Sequence, residues 1–282
     1  MNLSELEELF EIELEPIYDA NESRALFSLA AEQVLGVRPL KLKLTNTDQV
    51  SFINEQKILS ILNDLMMGKP IQHILEEAHF YGLVFKVNAS VLIPRPETEE
   101  LVDWIIQELR TRPDKKFQIL DVGTGSGCIP IALKKNLPDT EITSIDVSAK
   151  ALDVATENAD KMGASVNFIE ADILDFSTDS QFDIIVSNPP YITPKEKIQM
   201  HENVLAYEPH LALFVTEEDP LVFYKAIANL ALNTLASGGR LFFEINSFLG
   251  PETVQMLSEK GFSLVELRKD IQGNDRMIKA ML

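Results

Sequence analysis

The residues of this chain that are best suited to chemistry are Asn188, Pro189, Pro190 and Tyr191, which follow the largely apolar run 182–187. Such a β-branched run is typical of a strand that is buried on both faces of a parallel sheet. The two prolines must end the strand, because proline has no N–H to donate to a neighbouring strand. We therefore expect a rigid loop at the carboxyl end of a buried strand, where open α/β sheets bind ligands.

These residue types could orient a planar NH2 group toward an electrophile. The nitrogen of an amide or a base is a poor nucleophile, because its lone pair is delocalised. The side-chain carbonyl of Asn188 and the backbone carbonyl of Pro189 could hold its two hydrogens, and the ring of Tyr191 could lie against it. The sequence resembles the signature of S-adenosylmethionine-dependent methyltransferases that modify adenine N6, cytosine N4 or the glutamine amide. The alternative is an ordinary turn, in which asparagine and proline are also common.

A glycine-rich loop follows another predicted buried strand, at 117–122, and consists of Gly123, Thr124, Gly125, Ser126 and Gly127. Glycine lets the backbone adopt a positive φ and approach a ligand closely. The nicotinamide-binding form is an alternative, but it spaces its last glycine one residue further along. We expect this loop to hold the methionine and ribose parts of S-adenosylmethionine.

Two charged residues could reach the same site. Asp146 follows the predicted strand 142–145, nineteen positions after Gly127. An acidic residue there could accept hydrogen bonds from both ribose hydroxyls. Arg95 lies between two prolines that fix its backbone, so we expect its side chain over the active site. The alternative is a solvated arginine in a linker.

Three regions would position these residues. Apolar residues recur at three-to-four spacing in residues 1–75, which predicts a small helical bundle, with Gly36 at one helix end and Pro39 shortly after it. The spacing changes to two from His79 to Pro94, which predicts a β-hairpin or paired strands. With the Pro-Arg-Pro segment, this hairpin would form a linker over residues 76–97. Strands and helices alternate within residues 98–282, which predicts a doubly wound sheet.

Turn-forming residues give three local expectations. Thr98 could cap the helix that follows it. The alternation of apolar residues predicts strand structure as far as Leu92. Further along the chain, Gly238 and Gly239 should form a turn before a strand at 240–245.

Composition limits the classes of partner. The 282 residues are 45% apolar and carry a net charge of −19. So acidic a surface opposes nucleic-acid binding, which depends on Lys and Arg contacts to phosphate, and suits a basic protein. The acidic first fifteen residues do not resemble a signal peptide and no apolar run could span a membrane, so we expect a soluble, cytoplasmic protein.

Metal and disulfide chemistry are not expected. His201 and His210 have no second histidine or cysteine at ligand spacing. Cys128, beside the glycine loop, is the single cysteine, which fits a reducing compartment, and we expect it to be an inert buried thiol.

Several motifs together resemble the HemK/PrmC family. They lie at 68–74, 80–82, 91–99, 188–191, 207–209, 212–214, 269–270 and 273–276. The likeness covers most of the chain and is weakest over residues 1–67. Glu76 stands where the family often has glycine, and residues 215–220 replace a glycine-rich segment.

The resemblance implies a protein-(glutamine-N5) methyltransferase that acts on the Gly-Gly-Gln loop of class 1 peptide-chain release factors. It implies a class I, Rossmann-like sheet of seven strands whose last two pair antiparallel, preceded by a small all-α domain that recognises the substrate. S-adenosylmethionine would be the cofactor, with Asp172 and Ile173 flanking its adenine, although Asp172 could instead be a solvated helix cap. Asn188 would contact both cofactor and substrate, and Arg95 would bind one of them. No general base is assigned.

Two alternatives use the same residues differently. An adenine-N6 methyltransferase of DNA or RNA would share residues 188–191, but the net charge of −19 argues against it. A non-catalytic adaptor that binds release factors would not need the intact glycine loop, Asp146 and Asn188.

Overall fold

The structure is a computed structural model, and the residues that it describes are 1–36, 47–112, 115–199 and 202–282. It divides into two compact units, Met1–Glu77 with His201–Tyr207 and Ala78–Met200 with Glu208–Leu282. The expected helix breaker Pro39 and His201 lie outside the described residues.

The helices among the described residues are α1 Leu3–Leu14, α2 Ala20–Leu35, α3 Phe52–Met66, α4 Ile71–Leu75, α5 Pro96–Arg110, α6 Cys128–Asn136, α7 Ala149–Met162, α8 Glu202–Tyr207, α9 His210–Leu213, α10 Val222–Thr234 and α11 Gly250–Glu259. The strands are β1 Glu77–Phe80, β2 Leu83–Lys86, β3 Gln118–Val122, β4 Glu141–Asp146, β5 Asn167–Glu170, β6 Phe182–Ser187, β7 Leu235–Glu244, β8 Ser263–Lys269 and β9 Asp275–Met281.

The first unit is helical, which confirms the predicted N-terminal helical region. Polar side chains satisfy the first N–H groups of its longer helices, as when Asp19 accepts from two backbone amides at the start of α2. Gly36 ends that helix in the left-handed region, with φ 66°, as the sequence predicted. Apolar side chains of α1 to α4 form one buried cluster that includes Leu6, Phe10 and Ile58.

A later segment of the chain also belongs to the first unit. Asn203 on α8 donates a hydrogen bond to the hydroxyl of Tyr18 at 2.9 Å, and the hydroxyl of Tyr207 donates to the carbonyl of Met67 at 2.9 Å. No periodicity in the sequence indicated this return of the chain.

The β-hairpin has shorter strands than the apolar alternation predicted. β2 ends at Lys86, and the backbone to Leu92 is irregular. Asn88 is the cause, because its side chain accepts from the backbone amide of Ser90 and its carbonyl from that of Val91. This turn replaces the hydrogen bonds of a strand.

Thr98 does not cap α5, so that expectation was wrong. Arg95 occupies the N-cap position and Pro96 the first helical position. The fixed φ of proline suits the first turn, and the helix therefore begins before Thr98. The hydroxyl of Thr98 is left for a contact elsewhere.

The second unit is built on a seven-stranded sheet in the order β5-β4-β3-β6-β7-β9-β8. The strands from β5 to β7 are parallel, and β9 is antiparallel to both β7 and β8. This confirms the predicted Rossmann-like sheet and its antiparallel end.

Apolar residues alternate between the two faces of the sheet. Ile184 and Phe242 belong to a cluster with α5 and α6, whereas Ile185 and Phe243 belong to one with α10 and α11. Successive residues of a strand face opposite sides, so both faces of these strands are covered by helices.

Gly238 and Gly239 do not form the expected turn. They lie within β7, opposite an irregularity in its register with β6: Phe182 pairs with Leu235, but Ile184 pairs with Arg240. The extra residues bulge from a continuous strand, for which the backbone freedom of glycine is suited.

Candidate active site

The register of the sheet places predicted site residues next to each other at the carboxyl-terminal edge of the parallel strands. Val122 at the end of β3 pairs with Ile145 on β4 and with Ser187 on β6, which in turn pairs with Phe243 on β7. The residues that come next along these strands are Gly123, Asp146, Asn188 and Glu244. The sequence indicated the first three, and Glu244 joins them at the same edge.

A cavity of about 290 Å3 lies at this edge, within the second unit. The predicted site residues that line it are Gly123, Gly125, Asp146, Asp172, Ile173, Asn188, Pro189 and Pro190. Thr124, Ser126, Gly127, Tyr191 and Arg95 are not in its lining. The loops after β3, β4, β5 and β6 therefore converge on one cavity.

The glycines of the loop after β3 serve two purposes. Gly123 and Gly125 have φ values of 79° and 54°, and a Cβ atom on either would have no atom within 4 Å among the described residues. Their backbone is therefore open to a ligand. A Cβ atom on Gly127 would instead lie 2.9 Å from Ile131 and 3.1 Å from Ala155, so this glycine allows α6 and α7 to pack closely.

Both carboxylate oxygens of Asp146 accept backbone hydrogen bonds, and one of these bonds fixes the glycine loop. One accepts from the backbone amide of Gly125 and the other from that of Ser148, each at 2.9 Å. Burial raises the pKa of Asp146, and these backbone hydrogen bonds oppose the rise. Each oxygen of a carboxylate can accept a second hydrogen bond, so Asp146 can still bind a hydroxyl in the cavity.

Asp172 and Ile173 lie after β5. Asp172 is exposed and accepts a hydrogen bond from the backbone amide of Leu174 at 2.9 Å, while Ile173 is half-buried. The carboxylate of Asp172 thus caps a local turn and retains acceptor capacity toward the cavity. Its contact with adenine stays a prediction.

Asn188 is the first residue of a chain of hydrogen bonds. Its Nδ2 donates to Oγ1 of Thr98 at 3.2 Å, and Thr98 donates to Oε2 of Glu244 at 2.6 Å. The hydroxyl of Tyr191 donates to the other oxygen of Glu244 at 3.3 Å. One carboxylate therefore supports both ends of the Asn-Pro-Pro-Tyr segment.

Glu244 is almost completely buried, with 1% of its surface exposed. Burial raises its pKa, and the hydrogen bond from Thr98 and the charge of Arg276 act against the rise. Burial, followed by the charge of Glu244, also raises the pKa of Tyr191, whose phenol therefore stays neutral. The sequence analysis missed Glu244, although an acidic residue directly after the apolar run 241–243 was a signal of a buried polar role.

Arg95 forms an ion pair with Glu208. Its Nη2 lies 2.5 Å from Oε1 of Glu208, whose other oxygen accepts from the backbone amide of Ile93 at 3.1 Å. Glu208, itself buried, thereby connects the proline-rich segment before α5 to the segment before α9. A role of Arg95 in binding substrate or cofactor stays a prediction.

Asp121 is a buried acid beside the site that the sequence analysis did not single out. One oxygen accepts from the hydroxyl of Ser144, and the other has no hydrogen-bond partner among the described residues. Burial raises the pKa of Asp121 to about 7. It lies on β3, two residues before Gly123.

Within the described ranges, no group of three or more His, Cys, Asp or Glu side chains could hold a metal ion. His210 instead packs edge-on against the ring of Phe214, with ring centroids 5.2 Å apart. Burial raises the pKa of Cys128. No described helix is long and apolar enough to cross a membrane.

Comparison with known proteins identifies the class. The family model described as "Methyltransferase small domain" matches residues 102–211. The crystal structure of the hMettl16 catalytic domain in complex with MAT2A 3'UTR hairpin 6 has the same fold, with a TM-score of 0.56 at 16% identity over 71% of this chain and 76% of that one. The fold is therefore Rossmann-like, with the cavity at its switch point, and the matched family model gives the class as methyltransferase.

The full-length relatives identify the family. The release factor glutamine methyltransferase of Flavobacterium psychrophilum is 48% identical over 94% of each chain. That of Bacteroides thetaiotaomicron is 44% identical over 95% of each chain. This chain belongs to the release factor glutamine methyltransferase family.

Proposed function

We propose that this protein transfers a methyl group from S-adenosylmethionine to the side-chain amide nitrogen of a glutamine in class 1 peptide-chain release factors. The observation that carries the proposal is the position of Asn188 in the wall of the cavity, with its NH2 group committed to Thr98. Its carbonyl oxygen is thereby left to accept a hydrogen from a planar amide.

The residues at the cavity fit the proposed cofactor. The open backbone at Gly123 and Gly125 would hold the methionine and ribose parts, and Asp146 would accept from the ribose hydroxyls. Asp172 and Ile173 would flank the adenine. The cofactor would supply a methyl group that its sulfonium has already activated for transfer, leaving S-adenosylhomocysteine as the product. The methylated nitrogen would lose one proton to water or through a carbonyl, with no general base assigned.

The contribution of the protein would be to orient the amide. The Asn188 oxygen and the Pro189 carbonyl would accept the two amide hydrogens in the plane of the amide, which leaves the axis of the nitrogen lone pair, perpendicular to that plane, pointing at the methyl group. Pro189 is buried, its ring fixes φ, and the following Pro190 restricts its ψ, so its carbonyl is held in place. The face of Tyr191, fixed by its hydroxyl on Glu244, would support the planar amide.

The helical first unit would recognise the release factor. Its surface exposes large apolar side chains at the start of α3, where Phe52 is 75% and Ile53 is 68% exposed. The net charge of −19 would attract a basic protein and disfavour nucleic acid.

The direct test is to incubate the protein with labelled S-adenosylmethionine and a release factor, and to map the modified residue by mass spectrometry. We expect one methyl group on the glutamine of the Gly-Gly-Gln loop, absent with a release factor in which that glutamine is replaced. Methylation of adenine in DNA or RNA, with none on the release factor, would favour the nucleic-acid alternative. Cofactor binding without transfer to any substrate would favour the adaptor.

A further inference from the structure

We infer that Thr98 and Glu244 are positioning residues that determine which end of the Asn188 amide faces the substrate. The inference rests on the proposed function, in which the oxygen of Asn188 must accept a hydrogen from the target amide. Neither residue lines the cavity, so both would act through Asn188.

The direction of the hydrogen bonds carries the argument. The hydroxyl of Thr98 donates its single proton to Oε2 of Glu244, at 2.6 Å, as it must whenever that carboxylate is ionised. The Thr98 oxygen has no other proton to donate, so toward Asn188, at 3.2 Å, it can act only as an acceptor. Asn188 must present its NH2 group to Thr98, because two acceptors would otherwise face each other.

The consequence for the substrate follows from the shape of the amide. When the NH2 group of Asn188 is held by Thr98, its oxygen lies on the opposite side of the side chain. This oxygen accepts no hydrogen bond from any described residue, although Asn188 lines the cavity. Without Thr98, the amide could rotate by half a turn and offer a donor where the substrate also has a donor.

Three separate elements hold this arrangement. Thr98 lies in the first turn of α5, Glu244 at the end of β7 and Asn188 directly after β6. Thr98 and Glu244 are 2% and 1% exposed, so water does not compete for their bond. The start of α5 at Pro96 leaves the Thr98 hydroxyl uncommitted to capping.

The same carboxylate also fixes Tyr191. Its second oxygen accepts from the Tyr191 hydroxyl at 3.3 Å. Burial raises the pKa of Glu244, and the hydrogen bond from Thr98 and the charge of Arg276 act against the rise. The charge of Glu97 opposes ionisation. Glu244 would therefore align the acceptor oxygen of Asn188 and the face of Tyr191 together.

The test is a double-mutant cycle measured by single-turnover methylation of the release factor. We expect Thr98→Val, which replaces the hydroxyl by a methyl group of similar size, to lower the rate about tenfold, the effect of one hydrogen bond. Thr98→Ser keeps the hydroxyl and should stay within about twofold of wild type. In an Asn188→Ala background, Thr98→Val should change the rate by less than about twofold, because the group that it positions is gone.

The controls separate positioning from a general loss of structure. The cofactor dissociation constant, measured by calorimetry, should change by less than about twofold in each Thr98 variant. If Thr98→Val does not bind cofactor, Thr98→Ala removes the same hydroxyl without adding a methyl group. The wild-type rate in the same assay tests the proposed function separately, because the cycle only compares variants with it.

Three results would overturn the inference. One is a Thr98→Val rate equal to wild type, and another is an equal loss in the Asn188 and Asn188→Ala backgrounds. The third is a Thr98→Ser variant as slow as Thr98→Val, because the methyl group and not the hydroxyl would then be required.

Discussion

Replacement of Asn188 by alanine tests whether the Asn-Pro-Pro-Tyr segment is catalytic or only a turn. The structural loss is small: the variant removes one hydrogen bond at 3.2 Å, and the Thr98 hydroxyl keeps its bond to Glu244. No buried donor is left without an acceptor, so the free energy of unfolding should fall by only about 1 kcal/mol.

The expected loss of rate is much larger than the loss of stability. The oxygen of Asn188 is one of two proposed acceptors that orient the target amide, and loss of one such group in a preorganised site costs about 100-fold in rate, or about 2.7 kcal/mol. Cofactor affinity should fall less than the rate, because Gly123, Gly125 and Asp146 would provide the main contacts. Single-turnover methylation of a release factor, with calorimetry of cofactor binding in parallel, measures both quantities.

Asn233→Ala is the matched control. Asn233 also donates one side-chain hydrogen bond, at 3.0 Å to the carbonyl of Asn229, but it lies exposed on α10 away from the cavity. It should keep the full rate. If Asn188→Ala turns over as fast as Asn233→Ala, the amide-orienting role is wrong and the segment is a structural turn.

Four further predictions concern the cofactor, pH, nucleic acid and substrate. Asp146→Ala should weaken S-adenosylmethionine binding by about 1.5–3 kcal/mol, the value of a hydrogen bond to a charged group, and unchanged affinity in calorimetry would remove Asp146 from the site. Burial raises the pKa of Asp121 to about 7, so the folded state holds a proton that the unfolded state loses from about pH 4 upward. The free energy of unfolding should therefore fall by up to about 4 kcal/mol between about pH 4 and pH 8, and denaturant titrations of Asp121→Asn should show a smaller fall. An equal fall in both proteins would mean that another group is responsible. The net charge of −19 predicts no salt-sensitive binding to duplex DNA at physiological ionic strength, and a gel shift at nanomolar concentration would contradict this. Replacement of both Phe52 and Ile53 by serine should raise KM for the release factor and leave the methylation rate of a short Gly-Gly-Gln peptide unchanged; an equal effect on the peptide would exclude a recognition role for α3.

Local patterns were sufficient to predict that the seven strands of the sheet exist, although not where β7 begins. The apolar run 182–187 and the glycines at 123–127 mark strand ends, and parallel strands place such ends at one edge of a sheet. Gly123, Asp146 and Asn188 lie at this edge because their positions depend on register and not on side-chain packing, and their roles in binding stay predictions.

Contacts between distant parts of the chain could not be predicted in this way. Thr98 and Glu244 are 146 positions apart, and only the position of α5 against the sheet brings them together. Thr98 looked like a cap because its residue type is favoured there, whereas Pro96 had already started the helix. Residues 87–92 alternate as a strand does, but the side chain of Asn88 closed a turn that competes with pairing.

The position of β9 has a consequence for how the protein matures during synthesis. Although it follows β8 in the chain, β9 lies between β8 and β7, and its Met277 pairs with Glu244. During synthesis, the edge of β7 that pairs with β9 therefore stays unpaired until residues 275–281 have emerged from the ribosome. The carboxylate that supports Asn188 and Tyr191 reaches its final surroundings only with the last strand, so a nascent chain that stops at β8 should hold the glycine loop but lack a finished Asn-Pro-Pro-Tyr segment.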